Sequence, residues 1–384
     1  MVKKVVLWGL VIWLLLSAIS PFSAQAQGGL AVLDTSTHTE FPAELSFGIT
    51  ARSNVNITDI RLHYTVDRLS FARVTSEANI EFEPAATIEA DWTWDMRRTG
   101  GLPPGAGVSY WWTVEDAQGN RVETDPARVQ FDDTRYSWES LTEGKVTLYW
   151  YKGDSSFARE LMVAAQETLN RLAADTGAAL EKPVDIYIYA DARALQGSLI
   201  FPQEWTGGIA FTRFGRIAIG IAPEQLDWGK RAMSHELAHL VVHQMTFNPY
   251  TELPTWLNEG LAMYAEGSLE PGYVAILQMA AAEGGLISVR SLSSPFSAHP
   301  EQSSLSYAQS YSVIDFLVDG YGQSRMFDLL LTFRDGSGYD AALEEVYGFD
   351  MDGLNASWRE SLNQPVPPKE KAGMPLELVG ASSS

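Results

Sequence analysis

His235-Glu236-Leu237-Ala238-His239, followed by Pro254-Thr255-Trp256-Leu257-Asn258-Glu259-Gly260-Leu261-Ala262, is the stretch from which the rest of this 384-residue chain can be read. An α-helix turns once per ~3.6 residues, so His235 and His239 project two imidazoles from one face, within reach of a single tetrahedral ion at roughly 2.0–2.1 Å. Glu236 lies about a quarter-turn round the same helix, too offset for a ligand but close enough to touch a water held by that ion. From Trp228 to Phe247 there is no proline and one glycine, Gly229, while Met233, Leu237, Leu240, Val241 and Met245 supply an apolar face. That pattern predicts a buried helix with Asp227 as its N-cap. Polar ligand-type side chains buried in such a helix are costly unless something coordinates them.

A hydrolytic metal site needs a third protein ligand and an open fourth position. Glu259 is the candidate: Pro254 breaks the chain, Thr255 can cap, and Trp256 to Glu266 reads as a helix ended by Gly267. The bland alternative is a satisfied histidine pair beside a solvated glutamate. Against it, three of the chain's 6 histidines fall between 235 and 243, and Glu259 sits among Trp256, Leu257, Leu261 and Ala262. His243 extends the ladder one more turn, but about 12 Å along the axis from His235, so one ion cannot reach both. It reads as a structural or surface residue.

These residues carry a resemblance. His235-Glu236-x-x-His239 with Trp256-Leu257-Asn258-Glu259-Gly260-Leu261-Ala262 resembles the gluzincin branch of zinc metallopeptidases, the alanyl aminopeptidase-like and "peptidase MA-like" domains. The resemblance implies Zn2+ as cofactor, Glu259 as third ligand, Glu236 as general base and a peptide or protein substrate. The histidine-to-Glu259 spacing is one residue longer than the aminopeptidase pattern, which places an insertion in the loop from Pro249 to Pro254. Tyr307-Ala308-Gln309-Ser310-Tyr311, running on to Tyr321-Gly322, is similar to the family's helix bearing an oxyanion-stabilising tyrosine. By register this is Tyr307, with Tyr311 the second choice. Aminopeptidases of this kind also carry a Gly-x-Met-Glu-Asn strand whose Glu anchors the substrate amine. Here that stretch reads Gly207-Gly208-Ile209-Ala210-Phe211 without an acid, which favours internal cleavage. Residues 207–214 and 217–222 read as a hairpin, either an ordinary one or an edge able to pair with an extended peptide.

Length predicts two domains. Between about 41 and 131, Leu45/Phe47/Ile49, Ile60/Leu62/Tyr64/Val66, Ile88/Ala90/Trp92/Trp94 and Val108/Tyr110/Trp112/Val114 alternate as half-buried strands. Short strands separated by turns at Gly100 to Gly107 and Asp116 to Asn120 suggest an immunoglobulin- or fibronectin-like β-sandwich. The fold expected is α+β: a β-sandwich domain over 28–133, then a zincin-type metallopeptidase domain over 134–364 that becomes almost wholly helical after Glu259. Residues 365–384, with Pro365, Pro367 and Pro368, lack a core-forming pattern and read as a disordered tail.

Lys3 and Lys4, an apolar run from Val5 to Ile19, and Ala24-Gln25-Ala26 read as a signal peptide over 1–26, or as an uncleaved anchor that would tether the protein to a membrane. Either places the domains outside the cytoplasm: secreted, periplasmic or at the cell surface. With no Cys, no disulfide supports the fold. A net charge of −21 disfavours nucleic acid and anionic membrane surfaces as partners. The functional expectation is thus a secreted or surface zinc peptidase, an endopeptidase. The alternatives are an adhesion protein with a non-catalytic peptidase-like half, and a sandwich that restrains or helps fold the peptidase.

Overall fold

Alternating apolar side chains between residues 31 and 131 produce seven strands. They are β1 (Ala31–Glu40), β2 (Glu44–Val66), β3 (Ser76–Asn79), β4 (Ala85–Asp95), β5 (Ala106–Asp116), β6 (Arg121–Glu123) and β7 (Ala127–Phe131). They belong to a computed structural model that describes residues 29–202, 206–297 and 300–363. The leader expected over 1–26 and the tail expected over 365–384 lie outside the described residues.

Leu45/Phe47/Ile49 and Ile60/Leu62/Tyr64/Val66, expected as separate short strands, lie on the one 23-residue strand β2. The polar run at 53–56 breaks register instead of turning the chain: pairing with β4 shifts between Arg52 and Ile57. Before the break β2 lies between β1 and β4; after it, between β5 and β3. All seven strands are therefore hydrogen-bonded into one sheet, which curls over on itself. Across the curl the Phe47 ring stands 5.0 Å from Tyr110, and Tyr64 stands 4.9 Å from Trp94. Leu45, Phe47, Ile60, Leu62, Val108 and Trp112 close one core inside it.

The second half adds β8 (Glu139–Glu143), β9 (Val146–Trp150), α1 (Ser155–Thr176), β10 (Val184–Tyr189), α2 (Ala192–Gln196), β11 (Gly208–Phe211) and β12 (Arg216–Gly220). These strands form a five-stranded sheet in the order β11-β12-β10-β9-β8, with β11 an edge strand running antiparallel to β12. Asp154 caps α1 by accepting from Ser156 and Phe157 N–H groups, and Gly177 closes it at a left-handed φ of 73°.

Six helices complete the α+β fold, with one short 3-10 turn before them and one among them: α3 (Leu226–Thr246), α4 (Thr255–Ala265), α5 (Pro271–Glu283), α6 (Pro300–Arg334, interrupted at Gly322), α7 (Tyr339–Tyr347) and α8 (Met351–Ser361). The caps differ from expectation. The chain enters α3 directly from a 3-10 turn at Pro223–Gln225, so Gln225 takes the cap position and Asp227 lies in the first turn. Thr255 is the first residue of α4, and its hydroxyl donates to the Ser293 carbonyl at 3.1 Å instead of capping.

What matters for the site is that α3 is buried on two sides. Met233, Leu237 and Leu240 pack on the five-stranded sheet with α1. Ala238, Val241, Val242 and Met245 join Trp256, Leu257, Leu261 and the α6 residues Val313, Ile314 and Leu317. An apolar surface on two sides is the pattern of a central helix, and it leaves one strip, carrying His235, Glu236 and His239, for other work.

The two halves touch along a seam. Leu69 N–H donates to the Arg213 carbonyl at 2.5 Å, and the Arg216 guanidinium donates to the Gly105 carbonyl at 2.7 Å. The Phe71 and Phe247 rings stack at 4.0 Å. Among the described residues no helix is long and apolar enough to cross a membrane.

Gly260 sets how closely α4 approaches α6. A β-carbon there would stand 2.6 Å from both the Ser310 carbonyl oxygen and Ile314 Cγ1. Although Ala favours a helix over Gly by about 1 kcal/mol, forcing these helices apart costs roughly 1–3 kcal/mol. Gly260→Ala is expected to lower the melting temperature and weaken metal binding at the neighbouring Glu259, as read by calorimetry and metal titration; an unchanged or raised melting temperature would contradict this packing.

Candidate metal centre

The free strip of α3 faces α4, and there three donors converge. Glu259 Oε2 lies 3.5 Å from His235 Nε2 and 3.7 Å from His239 Nε2. The three residues form a group whose ligand atoms all lie within 4.8 Å of one another. Donors at roughly 2.0–2.1 Å from a tetrahedral ion stand about 3.4 Å apart, so the observed spacing needs little adjustment. The two imidazole planes are nearly perpendicular, at 82°. His243, one turn further, stands outside this group; its ring packs 5.2 Å from Phe247 in the cleft wall.

Outer partners orient both rings. His235 Nδ1 donates to Glu266 Oε1 at 2.8 Å, and His239 Nδ1 donates to Asn258 Oδ1 at 3.2 Å. With each Nδ1 engaged, the Nε2 lone pairs are the ones turned toward the shared point. Glu266 is held in turn by Arg231, whose guanidinium reaches its other oxygen at 3.1 Å. The sequence reading missed Asn258, Glu266 and Arg231 as participants. A signal existed: Glu266 lies seven residues after Glu259 and Arg231 four before His235, so each falls on the same face of its own segment as a metal donor.

The electrostatics suit a cation. Burial alone lowers the His235 pKa, but Glu259 and Glu266, with Glu236 nearby, outweigh it and raise it to about 10. Burial raises the Glu259 carboxyl, yet the His235 hydrogen bond and the charge of His239 hold it below the ordinary carboxylate range. Two imidazoles and a carboxylate, each imidazole braced at Nδ1, are the donor set of a zinc site with one vertex left open.

Glu236 lines the same cleft as His239, Glu259 and Tyr307. Gly208 on β11 lies against it: a β-carbon there would stand 3.1 Å from Glu236 Oε1. Tyr307 on α6 brings its ring 6.4 Å from that of His235. Burial, with Glu259, Tyr273 and Glu236, pushes its hydroxyl up to about 12, so it stays a proton-bearing donor at neutral pH. Tyr311 turns elsewhere, with its ring 5.9 Å from Tyr264, whose hydroxyl donates to Asp175. The structure therefore puts Tyr307, not Tyr311, at the cleft. The loop at 247–254 forms the opposite wall, tied by Asn248, whose side chain accepts from the Tyr250 and Thr251 N–H groups and donates to the Phe333 carbonyl.

A family model described as the Peptidase MA superfamily matches residues 164–364. Among solved structures, the M1 zinc metallopeptidase from Deinococcus radiodurans is 13% identical, with 89% of this chain and 97% of that one covered and a TM-score of 0.31. Legionella pneumophila aminopeptidase A, in complex with aspartic acid, is 12% identical over 87% of this chain and 49% of that one, with a TM-score of 0.40. OgpA from Akkermansia muciniphila is 8% identical over 28% of each chain, with a TM-score of 0.22. The chain thus spans less than two thirds of the length of two of these three proteins. No curated protein matches it.

Two outcomes follow for the metal-binding group. Glu266→Gln removes the charge that braces His235 and should weaken zinc affinity about 10–100-fold in a chelator competition; unchanged affinity would remove Glu266 from the site. Because the His235 proton must leave before Nε2 can bind, and its pKa is raised to about 10 in the metal-free protein, zinc affinity should climb about tenfold per pH unit below that value. The same competition run at several pH values checks the slope, and a flat profile would show that no such proton is displaced.

Proposed function

The chain belongs to the Peptidase MA superfamily, and from that premise we propose that it is a gluzincin-type zinc endopeptidase acting outside the cytoplasm. The observation that carries the proposal is the convergence of His235 Nε2, His239 Nε2 and the Glu259 carboxylate, with both Nδ1 atoms already engaged. His235, His239 and Glu259 would hold the ion. Bound there, zinc supplies a polarised carbonyl and a water whose pKa falls from about 15.7 toward about 7.

This chain's own residues do the rest. Glu236, beside the donors and against Gly208, takes the proton of the attacking water and passes it to the leaving amine. Tyr307 keeps its proton and donates to the oxygen that gains charge. The backbone of β11, the sheet edge along the cleft, pairs with an extended peptide. No acid lies between Gly208 and Phe211 to bind a free amine, and the cleft of about 1180 Å³ continues well past His239 to Phe247 and Phe71. Both features favour cleavage inside a peptide over trimming of its end. The extracytoplasmic location is supported by the signal-like pattern before residue 27.

Zinc-loaded protein should cut an unbiased peptide library at internal bonds and stop when a chelator is added. Glu236→Gln should keep its zinc and lose about 10²–10⁴-fold in turnover, and Tyr307→Phe should lose about 10²–10³-fold in kcat with its zinc retained. Loss of zinc from Glu236→Gln, or cleavage indifferent to chelation, would overturn the assignment.

A further inference from the structure

The cleft does not end at the metal donors. Glu236, His239, His243 and Phe247 line it in succession along α3, a run of about 16 Å at the helical rise. Strand β11 keeps it company: Gly208 lies against Glu236, and the 3-10 turn that follows β11 places Arg213 in the wall beside His243. A peptide paired with β11 would therefore lead from the catalytic groups toward Arg213, about two to three residues away at the extended-chain rise of ~3.4 Å.

That far end is chemically unlike the rest of the molecule. The chain carries 48 acidic and 27 basic residues, yet the Arg213 guanidinium is exposed in the cleft wall and, among the described residues, enters no ion pair or side-chain hydrogen bond. Among the described residues, Glu252 is the only carboxylate lining this distal portion, and it forms no ion pair with Arg213. The loop that docks on Arg213 through Leu69 carries Arg68 and Arg73, both exposed and also without ion pairs among the described residues. The floor beside Arg213 is the Phe71–Phe247 stack, one ring from each half of the protein. A guanidinium next to an aromatic wall suits a carboxylate on a short aliphatic stem.

We propose that this far end is a specificity subsite for an acidic side chain, so that the preferred substrates carry Asp or Glu about two to three residues from the scissile bond. The proposal rests on the peptidase reading for its bond but not for its binding chemistry. Peptides differing only in Glu, Gln or Lys, moved position by position along one side of the bond and then the other, test it in two ways. Cleavage is read with the zinc-loaded wild type, and binding by fluorescence anisotropy with zinc-loaded Glu236→Gln.

At one position the Glu peptide should be favoured over Gln by about tenfold in both readouts. Arg213→Ala should bring that ratio close to one, and Arg213→Glu should shift the preference to Lys. Because each ratio is taken within a single protein, partial loss of folded material does not alter it. Cleavage and binding that ignore charge at every position, or a Glu preference that survives Arg213→Ala, would overturn the subsite while leaving the peptidase reading intact. Charge-selective binding through Arg213 without any cleavage would support the subsite and refute the peptidase reading.

Discussion

Two imidazoles on one helix can share an ion with a carboxylate only if a second helix delivers that carboxylate to the same point, and the packing of α4 against α3 is the constraint on which this molecule turns. Glu259 reaches both Nε2 atoms because α4 is wedged between α3 and α6 by buried Trp256, Leu257 and Leu261. It comes close because position 260 has no side chain to hold α6 away. The same packing brings Glu266 and Asn258, further residues of that short segment, onto the outer nitrogens of the two histidines. One α4-centred segment thus supplies a donor and both braces.

The rest of the architecture gives this helix pair a cleft. The five-stranded sheet covers one side of α3 and ends at its edge strand β11, while α6 brings Tyr307 to the metal donors. The N-terminal sheet domain is part of the wall: Phe71 reaches across to stack on Phe247, and Leu69 is hydrogen-bonded to the Arg213 carbonyl. Its long curled strand β2 therefore matters to the cleft because it leads into the loop that carries Leu69 and Phe71.

Much of this was legible in the sequence because it depends on local periodicity. The i, i+4 histidines, the apolar strip of α3 and the proline-started helix of Glu259 all follow from residue spacing, and β10 spans the predicted residues Val184–Tyr189. What depends on longer range was not legible. The polar residues at 53–56 look like a strand end, but the chain continues because new partners take over the pairing. Tyr307 and Tyr311 are four apart and share a helix face, so spacing cannot separate them; their axial levels do, one beside His235 and the other beside Tyr264. Asp227 and Thr255 have cap chemistry, but the preceding 3-10 turn and the Ser293 carbonyl claim those positions. Spacing alone puts Arg231 and Glu266 level with the donors, but their roles depend on side-chain tips from two helices meeting.

The central claim is one of coordination, and anomalous diffraction at the zinc edge from zinc-soaked crystals addresses it directly. A single strong peak is predicted about 2.0–2.1 Å from His235 Nε2, His239 Nε2 and a Glu259 oxygen, with its fourth vertex open toward Glu236. A peak on His243, a site closed by a fourth protein ligand, or no peak between α3 and α4 would contradict the account.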